Sequence, residues 1–189
     1  MSRWKPDALG RLQEAALELY GERGFEQTTA AQIAERAGLT ERTFFRYFAD
    51  KREVLFAGSA EFQDFLVGKL EAAPASSSPM EAVISALRQV SDGYFEERRS
   101  FAQRRHEVIL ANKELQEREL IKLATLAAAL ADVLRGRGVA DPAAELAAEA
   151  GITVFRVAFE RWVAGRGDVT LSDTIARYAG ELDAVTAGR

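Results

Sequence analysis

Cysteine is absent from this 189-residue chain, and His106 is its one histidine. The first absence excludes a disulfide scaffold and any thiolate-held zinc or iron–sulfur centre. The second excludes a multi-histidine metal site, and no cofactor is expected. No apolar run reaches the roughly 18–20 residues that a membrane span needs. The opening residues, Met1 to Asp7, lack a hydrophobic signal core, so a cytoplasmic protein with no membrane partner is the expectation. An excess of positive charge is lacking too. The formal net charge is -4, which excludes a globally basic nucleic-acid protein. Period-two alternation and long β-branched runs are also missing, and with them the signals of a sheet.

What remains is helical. Alanine is abundant, and apolar residues recur three and four apart along most of the chain. Leu9, Leu12, Ala16 and Leu19 share one face, ending near Gly24. Ile33 and Ala37 mark a second helix, Phe44, Phe45 and Phe48 a third. A fourth is expected from Asp50 to about Ala72, carrying Phe62, Leu66 and Leu70. The stretch Pro74 to Pro79, with three serines inside, is the clearest break. Ser78, Pro79 and Glu81 then supply an N-cap, a proline at the first helical position and a capping-box acid. Further helices end near Asn112 and at Gly136 and Gly138. Another starts at Asp141–Pro142, and the last at Thr170 or Ser172. The pattern predicts an all-α fold of about nine helices. Residues 1–50 form one unit of three short helices, and residues 51–189 a larger helical bundle.

Residues 28–55 carry the functional signal. Thr29 and Gln32 form a capping box. Gly38 suits a left-handed C-cap, and Thr40 caps the helix that follows. Two short helices joined by a tight glycine turn make a helix-turn-helix, whose second helix enters the major groove of DNA. Asp50 with Glu53 reads as the cap that starts the fourth helix. Around the second helix, Arg42, Arg46, Lys51 and Arg52 stand against Glu41 and Asp50, a local positive excess in an otherwise neutral region. Such arginines and capped N-termini hold phosphates.

This ordered set resembles the TetR/AcrR family of ligand-responsive transcriptional regulators. It consists of YGERGFEQTT, IAERAGLT, the aromatic-rich ERTFFRYF and DKREVL. The resemblance implies that Thr28 and Thr29 hold a phosphate at the start of the second helix. Arg42, Thr43 and Arg46 would face base edges or adjacent phosphates, and Tyr47 and Lys51 the backbone. Family members often carry tyrosine where this chain has Phe45, which cannot donate that phosphate hydrogen bond. Phe45 would stack on the sugar–phosphate backbone instead. Arg3 and Lys5 form a short basic arm. Phe44 and Phe48, four apart, fill the core of the motif.

Beyond residue 56 the candidates are of lower specificity. Phe62, Phe65, Tyr94, Phe95, Phe101, Ile109, Leu126, Phe155, Phe159 and Trp162 are mostly core, with a subset able to line an effector cavity. Tyr94, Phe101, Arg105, Phe155 and Phe159 are the ligand candidates, for an apolar or amphipathic effector. The Arg104-Arg105-His106-Glu107 run would favour an anionic effector if an arginine pointed into that cavity. Otherwise it is an ion-pair cluster. Ala150, Val154, Val157, Ile175, Tyr178 and Leu182 form apolar strips suited to a dimer interface.

The reading is a homodimeric regulator, a repressor, that binds near-palindromic double-stranded operator DNA and is released by a small molecule. The alternative is a helical partner-binding module that has lost sequence-specific DNA binding. An enzyme finds no support. There is no GxSxG, no phosphate-binding glycine loop and no histidine pair.

Overall fold

The computed structural model describes residues 8–95, 98–165 and 169–188. Among these, every regular element is a helix. They are α1 (Ala8–Arg23), α2 (Ala30–Arg36), α3 (Glu41–Tyr47), a 3-10 turn (Glu53–Phe56), α4 (Ser59–Glu71), α5 (Pro79–Tyr94), α6 (Arg99–Leu110), α7 (Lys113–Gly136), α8 (Ala143–Ala164) and α9 (Leu171–Thr186). Two compact units result. The first holds the described residues up to Gly58 together with Arg104–Glu119. The second holds Ser59–Gln103 and the described residues from Leu120 onward. The division falls inside α6 and α7, each of which has residues in both units.

In the first unit α1 packs on α2 and on the 3-10 turn, and α2 packs on α3. Leu12, Ile33 and Phe44 are wholly buried there, as are Ile109 and Leu115 from the α6–α7 segment. Sequence periodicity assigns α6 and α7 to the later part of the chain and gives no sign that their ends belong with the first helices. The fourth helix starts nine residues later than the capping pattern predicts. Asp50 does cap backbone, its Oδ1 accepting from the N–H groups of Arg52 (2.7 Å) and Glu53 (3.3 Å). It closes only the 3-10 turn. Gly58, at φ +86°, breaks the path before α4 begins at Ser59.

In the second unit α5 is central and packs on α4, α8 and α9, while α8 also packs on α9. Leu66, Leu70, Val83, Leu87, Leu130, Ala148 and Ile152 form its core. The Ser78–Glu81 capping box forms as expected. Asp141 does not cap α8. Its carboxylate accepts from Arg135 Nε instead, and Pro142 occupies the cap position. Thr170 caps α9 through Asp173 N–H. Phe65, expected in the core, is 60% exposed, because the α4 face turned to α5 is that of Phe62, Leu66 and Leu70.

One long side chain closes the end of α4. Arg137 donates to the carbonyls of Leu70, Ala73 and Pro74 at 3.3, 2.8 and 2.9 Å. Leu70 O and Pro74 O also accept from the backbone N–H groups of Ala73 and Ser77, so the guanidinium adds a second donor to each. Arg137→Ala is expected to lower stability by about 1 kcal/mol, since hydrogen bonds to a charged donor are worth somewhat more than neutral ones. A urea unfolding curve measures it. An unchanged midpoint would mean water replaces the guanidinium at no cost.

Candidate nucleic-acid interface

The recognition helix α3 is placed by its neighbours rather than by its own seven residues. On one side Thr29 caps α2, its hydroxyl accepting from Gln32 N–H while the Gln32 side chain accepts from Thr29 N–H. Gly38, at φ +67°, turns the chain, and Leu39 N–H reaches back to Ala34 O at 2.8 Å. Arg11 of α1 donates to Ala37 O at 2.9 Å and so ties the turn to the first helix. Thr40 then caps α3, its hydroxyl accepting from Thr43 N–H. Phe44 is fully buried and stacks in a tilted contact with Phe48, ring centroids 5.3 Å apart. That anchor fixes which face of α3 looks outward.

The outward face carries Arg42, Phe45, Arg46 and Tyr47, all exposed, with Thr43 half-buried beside them. Phe45 is 52% and Tyr47 43% exposed, high values for aromatic side chains. The Arg46 guanidinium lies 5.1 Å from the Tyr47 ring centroid, close enough for a cation–π contact that orients it. Two other candidates serve the fold. Thr28 is 1% exposed, and its hydroxyl donates to Gly24 O at 2.9 Å and Leu19 O at 3.3 Å, so its side chain has no surface to offer a phosphate. Lys51 Nζ donates to the carbonyls of Phe25, Glu26 and Thr28 and sits 4.2 Å from the Phe25 ring centroid. All three of its donors are engaged in closing the loop between α1 and α2. Thr29, exposed at the start of α2, remains. The basic arm at Arg3 and Lys5 lies outside the described residues.

Burial and the nearby Asp50 charge push the Tyr20 hydroxyl up, and it donates to Lys51 O at 2.6 Å. The Arg52 guanidinium, donating to Asp50 Oδ2 at 2.6 Å, holds the Asp50 carboxyl below its ordinary range, and two backbone N–H groups add to this. A carboxyl depressed in the folded state contributes stability that is complete above its unfolded value, about 4. That contribution disappears as pH falls through the lowered folded value. Asp50→Asn is therefore expected to lose less of its thermal midpoint between about pH 6 and pH 3 than the wild type does. Parallel melting curves test this, and identical slopes would refute it.

The ligand candidates separate. Tyr94, Phe155 and Phe159 come together with Phe62, Phe95 and Trp162 as one aromatic cluster in the second unit, with neighbouring ring centroids 5.0–6.2 Å apart. Phe101, half-buried on α6, belongs to the same unit. Arg105 does not join them. It lies in the first unit, donating to Leu55 O at 2.7 Å and Glu119 at 2.9 Å, with its guanidinium 5.0 Å from the Phe56 ring centroid. Arg104 pairs with Glu14. Both arginines of the run thus hold ion pairs within the first unit. The dimer candidates separate as well. Val154 and Ile175 are buried in the chain's own core, at 4% and 0% exposed, and have no surface left for a partner. Ala150, Val157, Tyr178 and Leu182 are half-buried.

A capped, outward-facing second helix on a short helical unit is the arrangement of a helix-turn-helix regulator. Comparison with known proteins agrees. Residues 12–57 match the family model of bacterial regulatory proteins of the tetR family, and residues 77–187 match the MftR C-terminal domain. The chain belongs to the TetR family of helix-turn-helix transcriptional regulators. It is 40% identical over 80 residues to the HTH-type transcriptional regulator TcmR of Streptomyces glaucescens, a match over 42% of this chain and 35% of that protein. It is 33% identical over 91 residues to the HTH-type transcriptional regulator BetI of Escherichia coli, covering 46% of this chain and 44% of the relative. The chain thus spans less than half the length of either.

Solved structures share the fold. FadR of Thermus thermophilus, a TetR family transcriptional repressor in complex with lauroyl-CoA, has a TM-score of 0.54 and 22% identity, over 95% of this chain and 94% of FadR. SmeT in complex with triclosan has a TM-score of 0.58 and 17% identity, over 95% of this chain and 90% of SmeT. No described helix is long and apolar enough to cross a membrane.

Proposed function

We propose that this protein is a homodimeric repressor that reads a near-palindromic operator with α3 and leaves it when a small apolar or amphipathic molecule binds the second unit. The observation that carries the reading is the exposed Arg42, Phe45, Arg46 and Tyr47 face on a helix whose opposite face is locked by Phe44. Arg42, Thr43 and Arg46 read bases or adjacent phosphates, Tyr47 reaches the backbone, and Phe45 stacks on sugar. Thr29, with the free N–H groups at the start of α2, takes a phosphate. Two such helices across a two-fold axis read half-sites about 34–36 Å apart, or a multiple of that.

The partner subunit covers the outer surfaces of α8 and α9. Leu146 and Val185 are 66% and 74% exposed there, alongside half-buried Ala150, Val157, Tyr178 and Leu182. An effector changes DNA affinity by favouring one spacing of the recognition helices. A coupling of about 1–3 kcal/mol changes that affinity roughly 5- to 150-fold. Lauroyl-CoA on FadR and triclosan on SmeT support an apolar or amphipathic effector for a protein of this fold.

Selection of duplexes from a random DNA pool tests the reading. An enriched near-palindrome, bound with a steep salt dependence, is the expected result. Folded protein that enriches no sequence at low salt would favour the partner-module alternative.

A further inference from the structure

Trp162 is 2% exposed, yet its indole N–H has no hydrogen-bond partner. An indole nitrogen is only a donor, and a buried donor left unmet is costly. A buried donor without a partner therefore calls for an explanation. Its surroundings supply one. Trp162 borders the aromatic cluster, its ring centroid 5.9 Å from Phe159 and 6.2 Å from Phe95. Phe62 and Phe155 are buried behind them, whereas Tyr94, Phe95 and Phe159 are only half-buried, so the cluster reaches the surface along one edge. The indole is held by its face and its backbone. The Arg99 guanidinium lies 5.0 Å from its centroid and donates to Trp162 O at 2.8 Å and Gly165 O at 3.0 Å. Arg99 thereby directs donors at backbone carbonyls, and the Arg98 guanidinium lies 5.5 Å from the Tyr94 ring centroid at the same cluster.

We infer that this aromatic cluster binds a flat apolar molecule carrying one oxygen acceptor, and that Trp162 Nε1–H is the donor that selects it. The inference rests on the effector-binding reading of the second unit and adds the chemical class. Aromatic rings present hydrocarbon faces and edges to such a molecule and supply affinity through buried area. The single donor supplies selectivity. A ligand with a carbonyl satisfies the indole, whereas its hydrocarbon analogue leaves the same N–H unmet.

The test uses the full chain with Trp4→Phe, so that Trp162 is the one remaining tryptophan, labelled with nitrogen-15. The probes are 2-acetylnaphthalene and 2-ethylnaphthalene, similar in shape but differing in the acceptor. The acetyl compound is expected to bind about tenfold more tightly and to move the indole proton downfield, while the ethyl compound does not move it. In Trp162→Phe the preference disappears. Equal affinities, an unmoved indole proton or failure of both compounds to bind would overturn the inference. If Trp162→Phe does not fold, the probe pair on the Trp4→Phe protein decides alone. Acetyl-selective binding that leaves duplex affinity untouched would uphold this site and remove its role as the effector switch. Duplex selection involves neither probe, so failure of the DNA-binding reading is seen separately.

Discussion

Arg46→Ala is expected to weaken binding to the selected duplex by roughly 5- to 150-fold per half-site, the range for loss of one base-reading or phosphate-holding arginine. In a symmetric dimer both half-sites lose it. The side chain is exposed and lies against Tyr47 of its own helix. Removal therefore opens no cavity, and folding stability should move by less than about 0.5 kcal/mol. Fluorescence anisotropy at several salt concentrations also assigns the contact. A lost phosphate contact lowers the salt slope by about one, whereas a lost base contact relaxes specificity at one operator position. Wild-type affinity in a folded Arg46→Ala protein would remove α3 from the interface.

Gly151→Ala should destabilise the second unit by about 2 kcal/mol, against the usual trend for glycine in a helix. Replacing a mid-helix glycine normally gains up to about 1 kcal/mol. Here α8 crosses α5 so closely that the new methyl would overlap Val83 Cγ1, with Val83 Cβ at 3.5 Å and Leu87 Cδ1 at 3.7 Å. Val83 is fully buried, and its branched side chain has one strongly preferred rotamer in a helix, so it cannot swing aside cheaply. Overpacking of this kind costs about 1–3 kcal/mol. A fall of roughly 4–8 °C in the melting midpoint follows for a chain of this size. Val83→Ala in the same protein should recover part of the loss, giving a favourable coupling in a double-mutant cycle. A midpoint equal to or above wild type would show that the helices separate without penalty.

Local chemistry is legible at several positions where it is written within a few residues. The caps at Thr29, Thr40, Ser78 and Thr170, the glycine turn at Gly38 and the Phe44–Phe48 anchor all follow from short-range geometry. The error at the fourth helix has the same origin. Asp50 caps the next backbone groups as its spacing demands, but a cap does not say how long the helix it opens will run. The places of Thr28 and Lys51 are not legible in this way. Both are polar residues beside a DNA-reading helix, and only their partners up to 26 residues away show that they hold the chain together.

The sequence by itself determined that this chain is all-helical, that it carries a helix-turn-helix near residue 40 and which family it joins. Each of these depends on periodicity or on a motif confined to neighbouring positions. Only the tertiary structure decided that Arg105 belongs with Leu55 and Glu119 rather than with the aromatic cluster. It also decided that Val154 and Ile175 are interior, and that Trp162 keeps an unmet donor beside five other rings. Periodicity gives the apolar faces of a helix but not the neighbour each face meets. That choice is made by contacts between residues far apart in the chain, which local pattern does not encode.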